Sequence, residues 1–159
     1  MSLDPKLREG ASAPLPGRDG CALAIIDMQN CYCDPKGYFS SRASDKECCA
    51  RVVPACAEVL AAARAASVPV IHVVKVSFSE RIPTVGFHNG RRTDAMMLPG
   101  AWDAAITEAL RPAPGEPVVE KLAFSAFQGT AFETMLRRMN IRQLAVVGVT
   151  TSICVESTV

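Results

Sequence analysis

Residues 21–28 read CALAIIDM, apolar at every position except Asp27. A strand with one face in water alternates apolar and polar residues. An unbroken apolar run is therefore read as a strand covered on both faces. VPVIHVVKV (68–76) repeats the pattern, VVE (118–120) is a shorter third run that ends at Lys121, and Arg142 to Gly148 is a fourth. Helical spacing fills the gaps. Val52, Cys56, Val59, Leu60 and Ala63 recur on one helix face, with Pro54 predicting either a kink or a start near Val53. Ser44 and Glu47 have capping-box spacing, as do Thr130 and Glu133 ahead of Phe132, Met135, Leu136 and Met139. AWDAAITEAL (101–110) is expected to be a short helix stopped by RPAPGEP, and residues 77–100 a long irregular loop. Strands alternating with helices imply right-handed crossovers, hence an α/β fold: a doubly wound, mainly parallel sheet flanked by helices in three layers.

The chain has 159 residues, enough for one domain, expected over 21–159. Residues 1–20 are polar and rich in Pro and Gly, and they read as a flexible arm without the apolar core of a signal peptide. A net charge of +1 offers no electrostatic footprint for nucleic acid or an anionic membrane, and no apolar run approaches the length of a membrane span. The expected partner is a small molecule. Seven cysteines, an odd number, fit reduced thiols in the cytoplasm. Cys31 and Cys33 form a C-x-C with no second spaced pair, so no metal site is expected. Neither G-x-G-x-x-G nor a Walker glycine pattern is present, so no cofactor is expected either.

In doubly wound sheets, ligands gather outside the carboxyl ends of the strands. Three reactive groups fall there: Asp27 after the first strand, Lys121 after the third and Cys154 beyond the fourth. Each has a structural alternative. Cys154 follows a Gly-Val-Thr-Thr-Ser turn; at a helix N-terminus its pKa would be lowered beside N–H groups able to bind an oxyanion, and otherwise it is a small buried hydrophobe. Asp27 is either an acceptor for strand-end N–H groups or a general acid/base. Lys121 is either a snorkelling lysine or the partner of the other two. A Cys–His pair is the rival chemistry; His72 lies mid-strand and reads as core, whereas His88 in the long loop could reach a site.

With IIDMQN (25–30), the lysine of VVEKLAFSAFQGT (118–130) and GVTTSICVEST (148–158), the chain from Cys21 onward resembles the isochorismatase-like cysteine hydrolases. Within that superfamily, DMQNCYCDPKGYFS, GAWDAAITEALRPAPGE and CVEST are similar to the ureidoacrylate amidohydrolase and biuret hydrolase branch. The resemblance implies a Rossmann-like fold with Cys154 as nucleophile, Asp27 as proton-transferring carboxylate and Lys121 as third catalytic residue. It implies a cis Val149–Thr150 bond, and an oxyanion hole from the N–H groups of Thr150 and Cys154. The implied reaction is metal-independent cleavage of an amide C–N bond in a small ureido or carbamoyl compound, through a thioester, with release of ammonia. The metal-binding Asp/His pattern that nicotinamidase-type members carry after strand two is absent. A homodimer or homotetramer is also implied. Phe39, Phe87, His88, Asn89, Arg91, Trp102, Phe124, Ser125, Phe127 and Gln128 are candidates for the substrate pocket, although aromatic residues more often serve the core. Family members continue past the cysteine through further elements, whereas this chain ends five residues beyond Cys154. The second expectation is accordingly a catalytically idle subunit acting in binding or assembly.

Overall fold

The computed structural model describes residues 20–42, 47, 49–77 and 97–159. The expected N-terminal arm, most of the expected long loop and Ser44 of the first capping box lie outside them. Four strands form one sheet: β1 (Cys21–Ile26), β2 (Val70–Lys75), β3 (Val118–Lys121) and β4 (Gln143–Gly148). Their order is β3-β2-β1-β4, and every neighbouring pair is parallel, with Leu23 beside Val70, Cys21 beside Gln143 and His72 beside Val118.

Alternation along the strands sends side chains to two cores. Leu23, Ile25 and Val70 pack with Met28, Cys56, Leu60 and Leu110 on one face. Ala24, Ile26, Ile71, Val73 and Val119 pack with Ala126, Phe132 and Cys154 on the other. This double burial is why β1 and β2 are apolar throughout: all six residues of β2 are buried, and all of β1 except Cys21. β3 is an edge strand and alternates, with Val118 and Glu120 outward and Val119 and Lys121 inward.

Helices cover both faces. The short α1 (Asn30–Cys33) follows β1, and α2 (Val52–Ala65) lies on the first face through Cys56 and Leu60. Pro54 sits in the first turn of α2, where its missing N–H costs nothing, so the helix starts rather than kinks there. α3 (Phe132–Arg138) covers the second face through Phe132. Its expected capping box does not form. The Thr130 hydroxyl accepts from the Phe132 N–H at 3.1 Å and donates to the Ala126 carbonyl, while Glu133 turns forward to Arg137.

A second correction concerns residues 101–110, which are turns and one 3-10 turn, Glu108–Leu110, rather than a helix. Tertiary partners take the carbonyls that a helix would use. Trp102 O accepts from Asn30 Nδ2, Asp103 O from the Cys31 N–H, Ala104 O from Gln29 Nε2 and Ala105 O from the Asn30 N–H. Ile106 is paired with Gln29 in an isolated antiparallel bridge. The segment therefore lies along the end of β1 and fixes it.

Candidate active site

Asp27 is the first residue past β1. Its backbone turns to φ 53°, a left-handed value that Asp tolerates better than most residues, and its N–H is held by Val73 O at 2.8 Å. The carboxylate ends wholly buried. Lys121 ends β3, also fully buried, and its Nζ lies 2.8 Å from Asp27 Oδ2 and 3.2 Å from Ala123 O. Because β2 separates β1 from β3, this ion pair crosses over the end of β2.

Cys154 comes from the other side. β4 neighbours β1, and Gly148 at its end lies so close that a Cβ there would fall 2.1 Å from Ile26 O; its φ is +135°, a value open to glycine. The Val149 N–H then donates to Ile26 O at 3.0 Å, and the Val149–Thr150 bond is cis. The five-residue π-type turn Thr151–Val155 follows, with Thr150 O accepting from the N–H groups of both Ile153 and Val155. Thr158 secures it by donating to Cys154 O at 2.7 Å and accepting from the Ala126 N–H at 3.1 Å. Cys154 is thereby placed against the Asp27–Lys121 pair, within hydrogen-bonding reach of both side chains.

Electrostatics correct one expectation. Cys154 is the fourth residue of its turn rather than a helix start, and only 5% exposed. Burial first, and the Asp27 charge second, push the thiol up to about 11 against the pull of Lys121. The resting group is a thiol. Burial likewise raises Asp27 above the usual carboxylate range despite Lys121, and Asp27 Oδ1 has no hydrogen-bond partner among the described residues.

The pocket candidates scatter. Phe39 stacks on Tyr32 with ring centroids 5.0 Å apart and packs on the α2 face. Trp102 is 53% exposed, Phe127 is exposed with its ring edge-on to Phe132, and Gln128 is exposed beside it. Phe124 packs with the Cys154 cluster, and Ser125 Oγ accepts from the Phe127 N–H. Phe87, His88, Asn89 and Arg91 lie outside the described residues. His72 points to the face opposite Cys154 and hydrogen-bonds Glu116 at 2.9 Å. No three His, Cys, Asp or Glu side chains converge among the described residues. An apolar cleft of about 240 Å³, lined by Val74, Val76, Pro99, Ile106 and Val118, lies apart from the trio.

Three residues were not singled out from sequence. Lys75 ends β2 between the strands of Asp27 and Lys121, and is 3% exposed. Gln29, fully buried, accepts from the Lys75 N–H and donates to Lys75 O and Ala104 O. The Tyr32 phenol is held well above its usual range by burial, then by the charges of Asp27 and Cys154. For Lys75 a signal existed: it closes an apolar run just as Asp27 does.

The isochorismatase domain model matches residues 21–159. The chain is 33% identical over 178 residues to the ureidoacrylate amidohydrolase RutB of Methylorubrum extorquens strain AM1, covering 98% of this chain and 71% of that protein. It is 33% identical over 152 residues to RutB of Azorhizobium caulinodans, covering 86% and 67%. Among solved structures, a cysteine hydrolase from Pseudomonas syringae pv. phaseolicola 1448A superimposes with TM-score 0.72 at 29% identity, over 93% of this chain and 66% of that one. N-carbamoylsarcosine amidase from Thermoplasma acidophilum superimposes with TM-score 0.68 at 25% identity, over 87% and 72%. The chain thus spans about two-thirds of the length of these relatives.

Proposed function

The chain belongs to the isochorismatase family, whose relatives matched here are named as hydrolases of amide bonds, and from this we propose that it is a metal-independent cysteine amidohydrolase acting on a small ureido or carbamoyl compound. The observation that carries the reading is the buried Asp27–Lys121 pair at 2.8 Å with Cys154 against it. The RutB relatives favour ureidoacrylate as the first substrate to test.

With the resting thiol held near 11, few molecules carry a thiolate at neutral pH, so proton removal accompanies attack. Asp27, made more basic by burial, takes the Cys154 proton. The sulfur lone pair forms the C–S bond, and the carbonyl π electrons move to oxygen. The N–H groups of Thr150 and Cys154 are assigned to that oxyanion; one such donor is worth about 2.7–4 kcal/mol of activation free energy. Collapse restores the C=O and breaks the C–N bond, and Asp27 returns its proton to the nitrogen, which leaves as ammonia. Water then attacks the thioester, with Asp27 accepting its proton and the sulfur leaving to be reprotonated. Lys121 holds the negative charge as it moves between oxygen and sulfur.

Among the described residues, no helix is long and apolar enough to cross a membrane, and Cys21, Cys31, Cys33, Cys56 and Cys154 are free thiols. The free thiols support a reducing, cytoplasmic setting, and family membership supports a homodimer or homotetramer. The decisive experiment is Cys154→Ala assayed by ammonia release from ureidoacrylate. Loss of about 10⁴-fold or more is expected for removal of a nucleophile. Unchanged hydrolysis would overturn the proposal.

A further inference from the structure

Lys75 is a buried cation that the reaction above leaves without a role. It ends β2, the strand that lies between those supplying Asp27 and Lys121, and it is in register with Lys121, so both side chains leave the same face of the sheet. Its Nζ sits 4.7 Å from the centroid of the Phe124 ring. Phe124 in turn packs against the cluster that contains Cys154. A cation over an aromatic face is attracted to it, so the ring keeps the ammonium on the sulfur's side of the sheet. Gln29 pins the Lys75 backbone through both its N–H and its carbonyl.

We propose that Lys75 is a positioning residue of this centre, a second cation that holds the negative charge on the Cys154 sulfur as the proton passes to Asp27. The inference rests on the reading of Cys154 as nucleophile. In that step the total charge is constant; a proton leaves sulfur for a carboxylate oxygen, and the negative charge moves from Asp27 to Cys154. Lys121 sits 2.8 Å from the oxygen where the charge starts and also draws the thiol down, and Lys75 adds a second cation on the side where the charge arrives. Among the described residues, the groups that titrate or carry charge around the sulfur are Asp27 from the end of β1, Lys121 from β3, Lys75 from β2, and Tyr32 from α1. Cys31, also in α1, is coupled to Lys75. Burial pushes Lys75 down, and the charge on Cys154 is the largest influence raising it. By reciprocity Lys75 favours the thiolate.

The test is iodoacetamide alkylation between pH 7 and 10, resolved by peptide mass spectrometry, on the unaltered protein, Lys75→Met and Lys75→Arg. Thiolate fraction falls tenfold per unit of thiol pKa, partly offset by greater nucleophilicity. Lys75→Met should therefore slow Cys154 about three- to tenfold at each pH and leave Cys21 unchanged. In ureidoacrylate hydrolysis it should lower kcat with KM within about twofold. Lys75→Arg, which keeps the charge, should recover most of the Cys154 rate. If Lys75→Met loses its native circular dichroism, Lys75→Gln takes its place under the same criteria. Equal Cys154 alkylation with and without the Lys75 charge overturns the inference. Cys154→Ala separates the two ideas: if it abolishes hydrolysis while removal of the Lys75 charge changes nothing, only the role of Lys75 fails.

Discussion

Two carboxylates in this molecule, Asp27 and Glu116, each sit against a cation, yet they move to opposite sides of the ordinary range. Glu116 receives Arg64 through both Nε and Nη2 at 2.8 Å, the Ala113 N–H at 2.9 Å and His72 Nε2 at 2.9 Å. Hydrogen bonds from Arg64 are the chief cause of its fall to about 2. Asp27 is more deeply buried and has one ammonium on Oδ2, with Oδ1 unmatched among the described residues. There burial outweighs the ion pair, and the carboxyl rises. Depth of burial set against the donors on the charged form decides the direction more than the presence of a cation does. Glu116 is thereby a permanent anion that clamps the end of α2 and the approach to β3 onto His72 of β2. The His72 ring, lowered chiefly by burial, stays neutral at neutral pH and donates through Nε2. Asp27, by contrast, is held less firmly in its charged form.

The comparison breaks most visibly in activity. Asp27→Asn keeps the shape and removes the proposed proton carrier, so kcat/KM on ureidoacrylate should fall by about 10²–10⁴. Glu116→Gln should stay within about threefold of the unaltered protein in the same assay. A large loss in Glu116→Gln, or none in Asp27→Asn, would reverse the roles.

Stability gives a second axis for the comparison. Glu116→Gln takes the carboxylate from Arg64 and weakens two further contacts, to the Ala113 N–H and to His72, and about 2–3 kcal/mol should be lost in urea denaturation. The smallest effect sharpens the difference in sign. The Glu116 carboxyl falls from an ordinary 4.5 to about 2 on folding, so its contribution is complete above about 4.5 and is lost as the pH falls toward 2. The slope for one proton reaches about 1.4 kcal/mol per pH unit. Asp27, raised from 3.8, runs the other way: its contribution is present below 3.8 and lost as the pH rises through its folded value. Stability measured from pH 5 to 2 should therefore flatten in Glu116→Gln and keep its acid limb in Asp27→Asn.

Much of this was legible in the chain because burial on both faces leaves a plain mark. CALAII and VPVIHVVK read as covered strands, and a charged residue closing such a run stands out, as Asp27 does; Lys121 ends the shorter VVE run. Lys75 carried the same mark, but a lysine at a strand end is so often a surface lysine that position alone does not distinguish them. Residues 101–110 misled for a different reason. Ala, Trp and Ile at helical spacing describe a local preference, and the carbonyls of 102–105 are taken by Gln29, Asn30 and Cys31, more than seventy positions away.

The sequence by itself determined the parallel α/β sheet, the three strand ends that carry reactive groups and the Gly148 turn, since each follows from local composition or from a backbone only glycine can adopt. Tertiary structure alone decided how those groups behave. It brought Asp27 and Lys121 to 2.8 Å across β2, placed Lys75 between them and seated Cys154 within its turn, where the thiol moves up rather than down. Spacing along a chain can predict which strand end a residue occupies. Its proton affinity depends on the solvent removed and the charges assembled around it, and these exist only after the strands have come together.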